Sequence, residues 1–166
     1  MPRALAILGC CLAALGCGGS GSLTGQQYRD GEASYRVGLL DSPWERLHVE
    51  DQNDLAWSRG DLRAIIQINA SCDPALDIPL VALTNHLLIG FTEREIESQE
   101  LFPMASREAL RTHLRAKLDG VPRELALVVL KKDGCVYDFA LIVAPGPSFE
   151  RARADFDQVL GGFSAP

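Results

Sequence analysis

Five cysteines and three histidines are the first candidates of this chain for nucleophilic or metal-ligating chemistry. His48, His86 and His113 are scattered, without the close spacing of a zinc site. They are expected as solvated or capping side chains, and no metal site is assigned. A thiol hydrolase would need Cys72 beside His86 or His113 and an acid such as Asp73. No local signature surrounds Cys72, and an exported thiol is open to oxidation, so no catalytic residue is assigned. Residues 16–21 read Gly-Cys-Gly-Gly-Ser-Gly, formally G-x-G-x-x-G, but no strand precedes them and no cofactor is expected there. Arg59-Gly60-Asp61 is explained by a hairpin turn, and Asn69-Ala70-Ser71 is a glycosylation sequon only in form.

The chemistry that survives is at Cys17. Met1-Pro2-Arg3 carries one positive charge, and Ala4 to Gly16 is an uncharged apolar run of 13 residues. Small residues then lead into Cys17, which Gly18-Gly19-Ser20-Gly21-Ser22 follows. Charged, apolar and small segments in that order make a secretory signal. The run is well short of the roughly 20 residues that span a bilayer as a helix. Ala14-Leu15-Gly16-Cys17 resembles the lipobox of bacterial lipoproteins, with Leu15 one place later than the usual leucine. Ile7-Leu8-Gly9-Cys10 fits the pattern slightly better, but cleavage there would leave too short an apolar segment after Arg3. The alternative is an ordinary signal with a bystander cysteine, and the flexible Gly/Ser stretch favours lipidation. The expectation is a signal peptide at 1–16, lipidated Cys17 with a Gly/Ser-rich tether at 17–31, and one domain at 32–166. The resemblance implies a thioether-linked diacylglycerol and an N-acyl chain on Cys17, together a stable anchor.

The net charge of the chain is −6, and loss of Arg3 with the signal makes it −7. An acidic chain without a basic cluster does not bind nucleic acid, because phosphate neutralisation needs grouped Lys and Arg. It is also repelled by anionic headgroups, so the anchor and not the surface would hold it at the membrane. With Cys10 and Cys11 removed and Cys17 lipidated, Cys72 and Cys135 remain. They can form one disulfide in an oxidising compartment or stay as two buried thiols.

The elements that must position these residues can be read from periodicity. Ala33 to Leu39 and Trp44 to Val49 read as short strands around Asp41-Ser42-Pro43. Asp54 to Ser58 and Leu62 to Asn69 read as a hairpin. Asp77 reads as the N-cap of a helix running to about Gly90, with Leu80, Leu83, Leu87 and Phe91 facing the core. Ser106 to Asp119 has helix formers but alternates strictly: Leu110, Thr112, Leu114, Ala116 and Leu118 on one side, Arg111, His113, Arg115 and Lys117 on the solvent side. Asp119-Gly120 and Lys132-Asp133-Gly134 then join it to Leu125–Leu130 and Val136–Ala144, which predicts an antiparallel meander. Glu93 to Glu97 and Glu100 read as an exposed strand-like face. A last helix is capped by Ser148, with Phe149, Ala152, Phe156, Val159, Leu160 and Phe163 as its apolar stripe.

Tyr35, Pro43-Trp44, the strand–Gly–strand meander and the ending Phe156-Asp157-Gln158-Val159-Leu160-Gly161-Gly162-Phe163 together resemble the PsbP-like α/β sandwich family. The resemblance covers about Ala33 to Phe163. It implies an α+β fold: an antiparallel meander with a central helix and a C-terminal helix packed on it. Members include photosystem extrinsic subunits, a nuclear-transport accessory factor and many bacterial lipoproteins, whose common theme is docking on larger assemblies. No metal or partner residues of the family carry over. The sequence therefore points to a non-enzymatic, membrane-anchored module of the cell envelope that docks on a protein complex. The second reading is a binding protein for a small apolar ligand or lipid, held by Leu80, Leu83, Phe91, Phe149 and Phe156. Palmitate labelling in cells is expected to be lost in Cys17→Ser and kept in Cys10→Ser; the reverse result would move the anchor to Cys10.

Overall fold

The computed structural model describes residues 21–48 and 53–166. Cys17, the signal segment and Val49 lie outside the described residues. Ten strands and two helices follow in order: β1 (Ser22–Thr24), β2 (Gln27–Arg29), β3 (Ser34–Arg36), β4 (Glu45–Leu47), β5 (Leu55–Arg59), β6 (Ala64–Ser71), α1 (Leu80–Leu87), β7 (Phe91–Met104), β8 (Arg107–Leu118), β9 (Val121–Lys132), β10 (Cys135–Val143) and α2 (Ser148–Gly161). Seven strands form one antiparallel sheet in the order β4-β5-β6-β10-β9-β8-β7, and β1-β2-β3 form a small second sheet.

The meander is built by its turns. Asp119-Gly120 and Asp133-Gly134 have positive φ at both positions (51° and 77°, 51° and 83°), the backbone that a two-residue hairpin demands. Ala105-Ser106 makes the same kind of turn between β7 and β8 at φ 48° and 64°, without a glycine to announce it. Ser106 is therefore a turn residue, and β8 is a strand throughout.

Both faces of β9 are covered, which is why it reads as an unbroken apolar run. Ala126, Val128 and Leu130 face α2, together with Ile66 and Ile68 of β6 and Phe139 and Leu141 of β10. Leu125 and Leu127 face the other way, against Leu88 and Phe91 beyond α1, and Val129 packs against Leu83 of α1. The stripe of α2 (Phe149, Ala152, Phe156, Val159, Leu160) is buried against the first face. Burying each large member contributes roughly 1.5–3 kcal/mol.

Several expectations need correction. The tether read as far as Gly31 ends sooner, because β1 and β2 occupy Ser22–Arg29 and the Tyr28 ring is buried against Tyr35 at 4.9 Å. Polar flanks on three-residue strands hid them. Ala33–Leu39 shrinks to β3. Asp77 does not cap α1; Pro79 precedes the helix, and the Asp77 carboxylate pairs with Lys131. Pro147 precedes α2 and no side chain caps it. Arg111 and His113 do not face open solvent, since α2 lies over them: Arg111 pairs with Asp157 at 3.1 Å and the His113 ring stacks on Phe149.

The two family-like motifs meet in space. Trp44 Nε1 donates to Asp155 of α2 at 2.9 Å, and Arg59 holds the same carboxylate at 2.8 Å. Gly38 N–H donates to the Val159 carbonyl at 3.0 Å. A Cβ on Gly38 would lie 2.1 Å from the Gln158 carbonyl oxygen, and one on Gly162 would lie 2.3 Å from the Gly38 nitrogen. Glycine is required at both positions by this close approach of backbones. Gly38→Ala is expected to destabilise the chain by about 1–3 kcal/mol. Gly161→Ala, where a Cβ meets nothing within 4 Å, should be neutral or stabilising by about 1 kcal/mol; urea unfolding of the two variants checks the contrast.

Candidate functional site

Cys72 at the end of β6 and Cys135 at the start of β10 are joined as a disulfide. It closes a loop with a sequence separation of 63, worth about 4 kcal/mol on the loop-entropy scale. Cys72 is thereby withdrawn from any nucleophilic role. His48 and His86 are exposed, and among the described residues neither belongs to a group of three ligating side chains. Arg59 and Asp61 pair with each other at 3.0 Å in the turn between β5 and β6, a structural use of that tripeptide.

His113 is different. Strand pairing sets Arg115 opposite Glu124 and His113 beside it on the α2 face. His113 Nε2 lies 3.0 Å from Glu124 Oε1, and Nδ1 lies 3.5 Å from Glu97 Oε2. The imidazole is stacked on Phe149 at 4.5 Å. Glu124 is buried and also accepts the Gly146 N–H at 3.3 Å. These are the three described side chains whose ligand atoms come close enough to hold a cation, all within 4.8 Å. Arg115, however, already bridges both carboxylates, at 2.8 Å from Glu97 and 3.8 Å from Glu124. A cation would have to displace a guanidinium, and the two ring nitrogens face different acids. The arrangement is an ion-pair clasp that ties β7, β8 and β9 to the loop leading into α2.

The other face of the sheet holds a cavity of about 200 Å³. Asn69 of β6 and Asp138 of β10 are direct cross-strand partners, and Gln67 stands opposite Ala140. With Asn53 they give the cavity its polar side; Leu87 and Phe91 near the end of α1 and Leu127 and Ile142 of the sheet give its apolar side. Asp138 Oδ1 is buried and has no hydrogen-bond partner among the described residues. Burial alone pushes the carboxyl up to about 7, because desolvation disfavours the charged form. Sequence reasoning passed over this residue. The signal was there: one acid inside the apolar run Val136–Val143, in phase with Ala140 and Ile142.

The larger groove beside the disulfide is lined by charges that are already paired, Arg107 with Asp133 and Lys131 with Asp77 among them. The cavity expected from Leu80, Leu83, Phe91, Phe149 and Phe156 does not exist as one space. Phe149 and Phe156 belong to the core on the α2 face, and Leu80, Leu83 and Phe91 lie on the opposite face.

No family model matches the chain. No curated protein sequence matches it either. Among solved structures, cyanobacterial PsbP (CyanoP) from Synechocystis sp. PCC 6803 superposes with a TM-score of 0.60 at 18% identity, covering 88% of this chain and 98% of that one. LpqN of Mycobacterium tuberculosis, described as involved in cell envelope biogenesis, superposes with a TM-score of 0.55 at 12% identity, covering 81% and 86%. The fold is therefore the PsbP-like α+β fold that the sequence motifs suggested.

The Asp138 carboxyl makes stability depend on pH. An unfolded aspartate ionises near pH 3.9, whereas the folded one keeps its proton to about pH 7. The contribution of this one group is complete below about pH 4 and falls by up to about 1.4 kcal/mol per pH unit until about pH 7. Asp138→Asn, which keeps the shape and cannot ionise, is expected to exceed the parent by about 2–4 kcal/mol at pH 8 and to match it near pH 4. Urea unfolding at both pH values measures this; a difference independent of pH would mean that Asp138 is not the titrating group.

Proposed function

We propose that this chain is a lipid-anchored accessory domain of the cell envelope that works by docking on a protein partner and not by catalysis. The observation that carries the reading is strand β7. It is the 14-residue edge of the large sheet, pairing among the described residues only with β8, and Thr92 to Leu101 are exposed without interruption. An open edge offers a row of unpaired backbone donors and acceptors, which proteins ordinarily shorten, bend or cover. Here register shifts between Thr92 and Glu95 and between Ile96 and Ser98 break the first half. The run from Ser98 to Met104 stays regular.

The chemistry of the edge defines the partner. Ile96 and Leu101 are 54% and 58% exposed and can anchor an added strand. Glu95 and Glu100 stand beside them without an ion pair among the described residues, whereas Glu93 and Glu97 are already paired with Lys117 and Arg115; Arg94 is the one basic residue of β7. A strand-forming segment rich in Lys or Arg fits that edge. The PsbP-like fold, the envelope role given for LpqN, the signal-like N-terminus and the Cys72–Cys135 disulfide, which suits an oxidising compartment, all support an extracytoplasmic setting. The anchor would be Cys17.

A photo-crosslinker placed at Gln99 in cells is expected to capture one defined envelope protein, while one at Arg153 on the outer face of α2 captures none. Glu95→Lys combined with Glu100→Lys should abolish the Gln99 product without lowering the unfolding temperature. Equal capture from both positions, or a product that survives charge reversal, would remove β7 as the docking edge.

A further inference from the structure

We propose that the cavity over Asp138 is a binding site for a small primary amine with an apolar body, its ammonium held by the Asp138 carboxylate and its body laid on the sheet between Phe91 and Ile142. The site lies on β6 and β10 and touches β7 only at its first residue, Phe91, outside the exposed run Thr92–Leu101, and neither it nor its test depends on the docking reading.

Three observations converge on that ligand. First, Asp138 Oδ1 is a buried acceptor without a donor. Leaving such an atom unsatisfied is costly, and folded chains do so rarely. Oδ1 itself is closed to the cavity, so a ligand cation would compensate the carboxylate through its other oxygen. Second, Asp138 is the one ionisable side chain lining the cavity among the described residues. Its charge, once formed, has no counter-ion among the described residues, so the ligand that gains most is a cation; an anion is repelled, and a neutral alcohol leaves the charge unanswered. The carbonyl oxygens of Asn69, Gln67 and Asn53 can accept the other protons of a primary ammonium, which has three to donate. Third, size and lining limit the body. A volume of about 200 Å³ exceeds the roughly 150 Å³ that encloses benzene in an apolar cavity. One ring, or a short branched chain, bearing an aminomethyl group fills it against Leu87, Phe91 and Ile142. A polyamine would bring a second ammonium into a wall that offers no second acid.

Binding is also expected to follow pH. The ammonium selects the ionised carboxylate, and a carboxyl titrating near pH 7 is mostly protonated at pH 6 and mostly ionised at pH 8. No charged group on β6, β9 or α1 lines the cavity to alter that dependence.

The test is titration calorimetry of the full chain with benzylamine as probe, with benzyl alcohol and benzoate as comparisons. Saturable one-site binding of benzylamine is expected at pH 8, several-fold weaker at pH 6. Asp138→Asn should weaken it by about 10- to 100-fold; this variant removes a buried charge and should fold at least as well as the parent. Ala140→Leu fills the cavity and leaves the carboxyl in place, and should abolish binding. Benzyl alcohol should bind at least about tenfold more weakly, and benzoate not at all. No saturable binding of benzylamine at pH 8, equal affinity in the parent and Asp138→Asn, or binding of benzoate as tight as that of benzylamine would overturn the proposal.

Discussion

Unequal coverage of the two faces of one sheet governs this molecule. Strand β10 runs between β6 and β9, and its residues alternate between the faces. On one face α2 has 14 residues, about 21 Å of helix at 1.5 Å per residue, and it is joined by β1–β3. That face closes into a continuous core in which the Phe163 ring packs on both Tyr35 and Phe139. On the other face α1 has 8 residues, about 12 Å. It reaches β8 and β9 but leaves the β6–β10 strip open. The cavity over Asp138 is the part of a two-sided sheet that a short helix does not cover.

Asp138 fits this geometry and no simpler one. Were it on the α2 face, its carboxyl would sit among the most tightly packed side chains of the domain, where an unpaired acid costs several kcal/mol. Asp54 shows how the α2 side handles such a group. Its carboxylate accepts from Tyr35 Oη at 2.9 Å and from the Ala70 N–H at 3.0 Å, and it thereby ties the small sheet to the large one. Burial raises the Asp54 pKa, and the Tyr35 hydrogen bond opposes that rise. The same residue type is thus satisfied as a structural bridge on one face and left unpaired at a cavity wall on the other.

Much of the architecture was legible because local signals agree with the global fold. The two Asp-Gly turns supply the positive φ that hairpins need, and the period-2 pattern of residues 107–118 overrode their helix propensity. The stripe Phe149–Ala152–Phe156–Val159–Leu160 named the buried face of α2. What stayed hidden depends on partners distant in sequence. Ala105 and Ser106 adopt the left-handed turn with no residue type that signals it. Tyr28 alone marks β1–β2 as structure, since its ring is buried only when Tyr35 lies beside it. His113 alternates as a solvent residue would, and nothing in its own strand says that Phe149 and Glu124 enclose it. The cavity follows from a mismatch between helix length and sheet width, a quantity that no single motif carries.

The position of β1 also reshapes the proposed anchorage. With β1 starting at Ser22, only Gly18 to Gly21 separate Cys17 from the folded domain. Five residue steps of extended chain span at most about 18 Å, so the small sheet would stay close to the acyl chains. That sheet packs beside β5, β6 and β10, through Asp54 and Tyr137. Strand β7 lies three strands beyond β10, about 14 Å across the sheet. An acidic edge brought against anionic headgroups would be repelled over a Debye length of about 8 Å. In the proposed anchorage the short tether and the acidic edge would act together: one would keep β1–β3 near the membrane, and the other would favour the orientation in which β7 faces away from it, where the proposed basic strand could reach it.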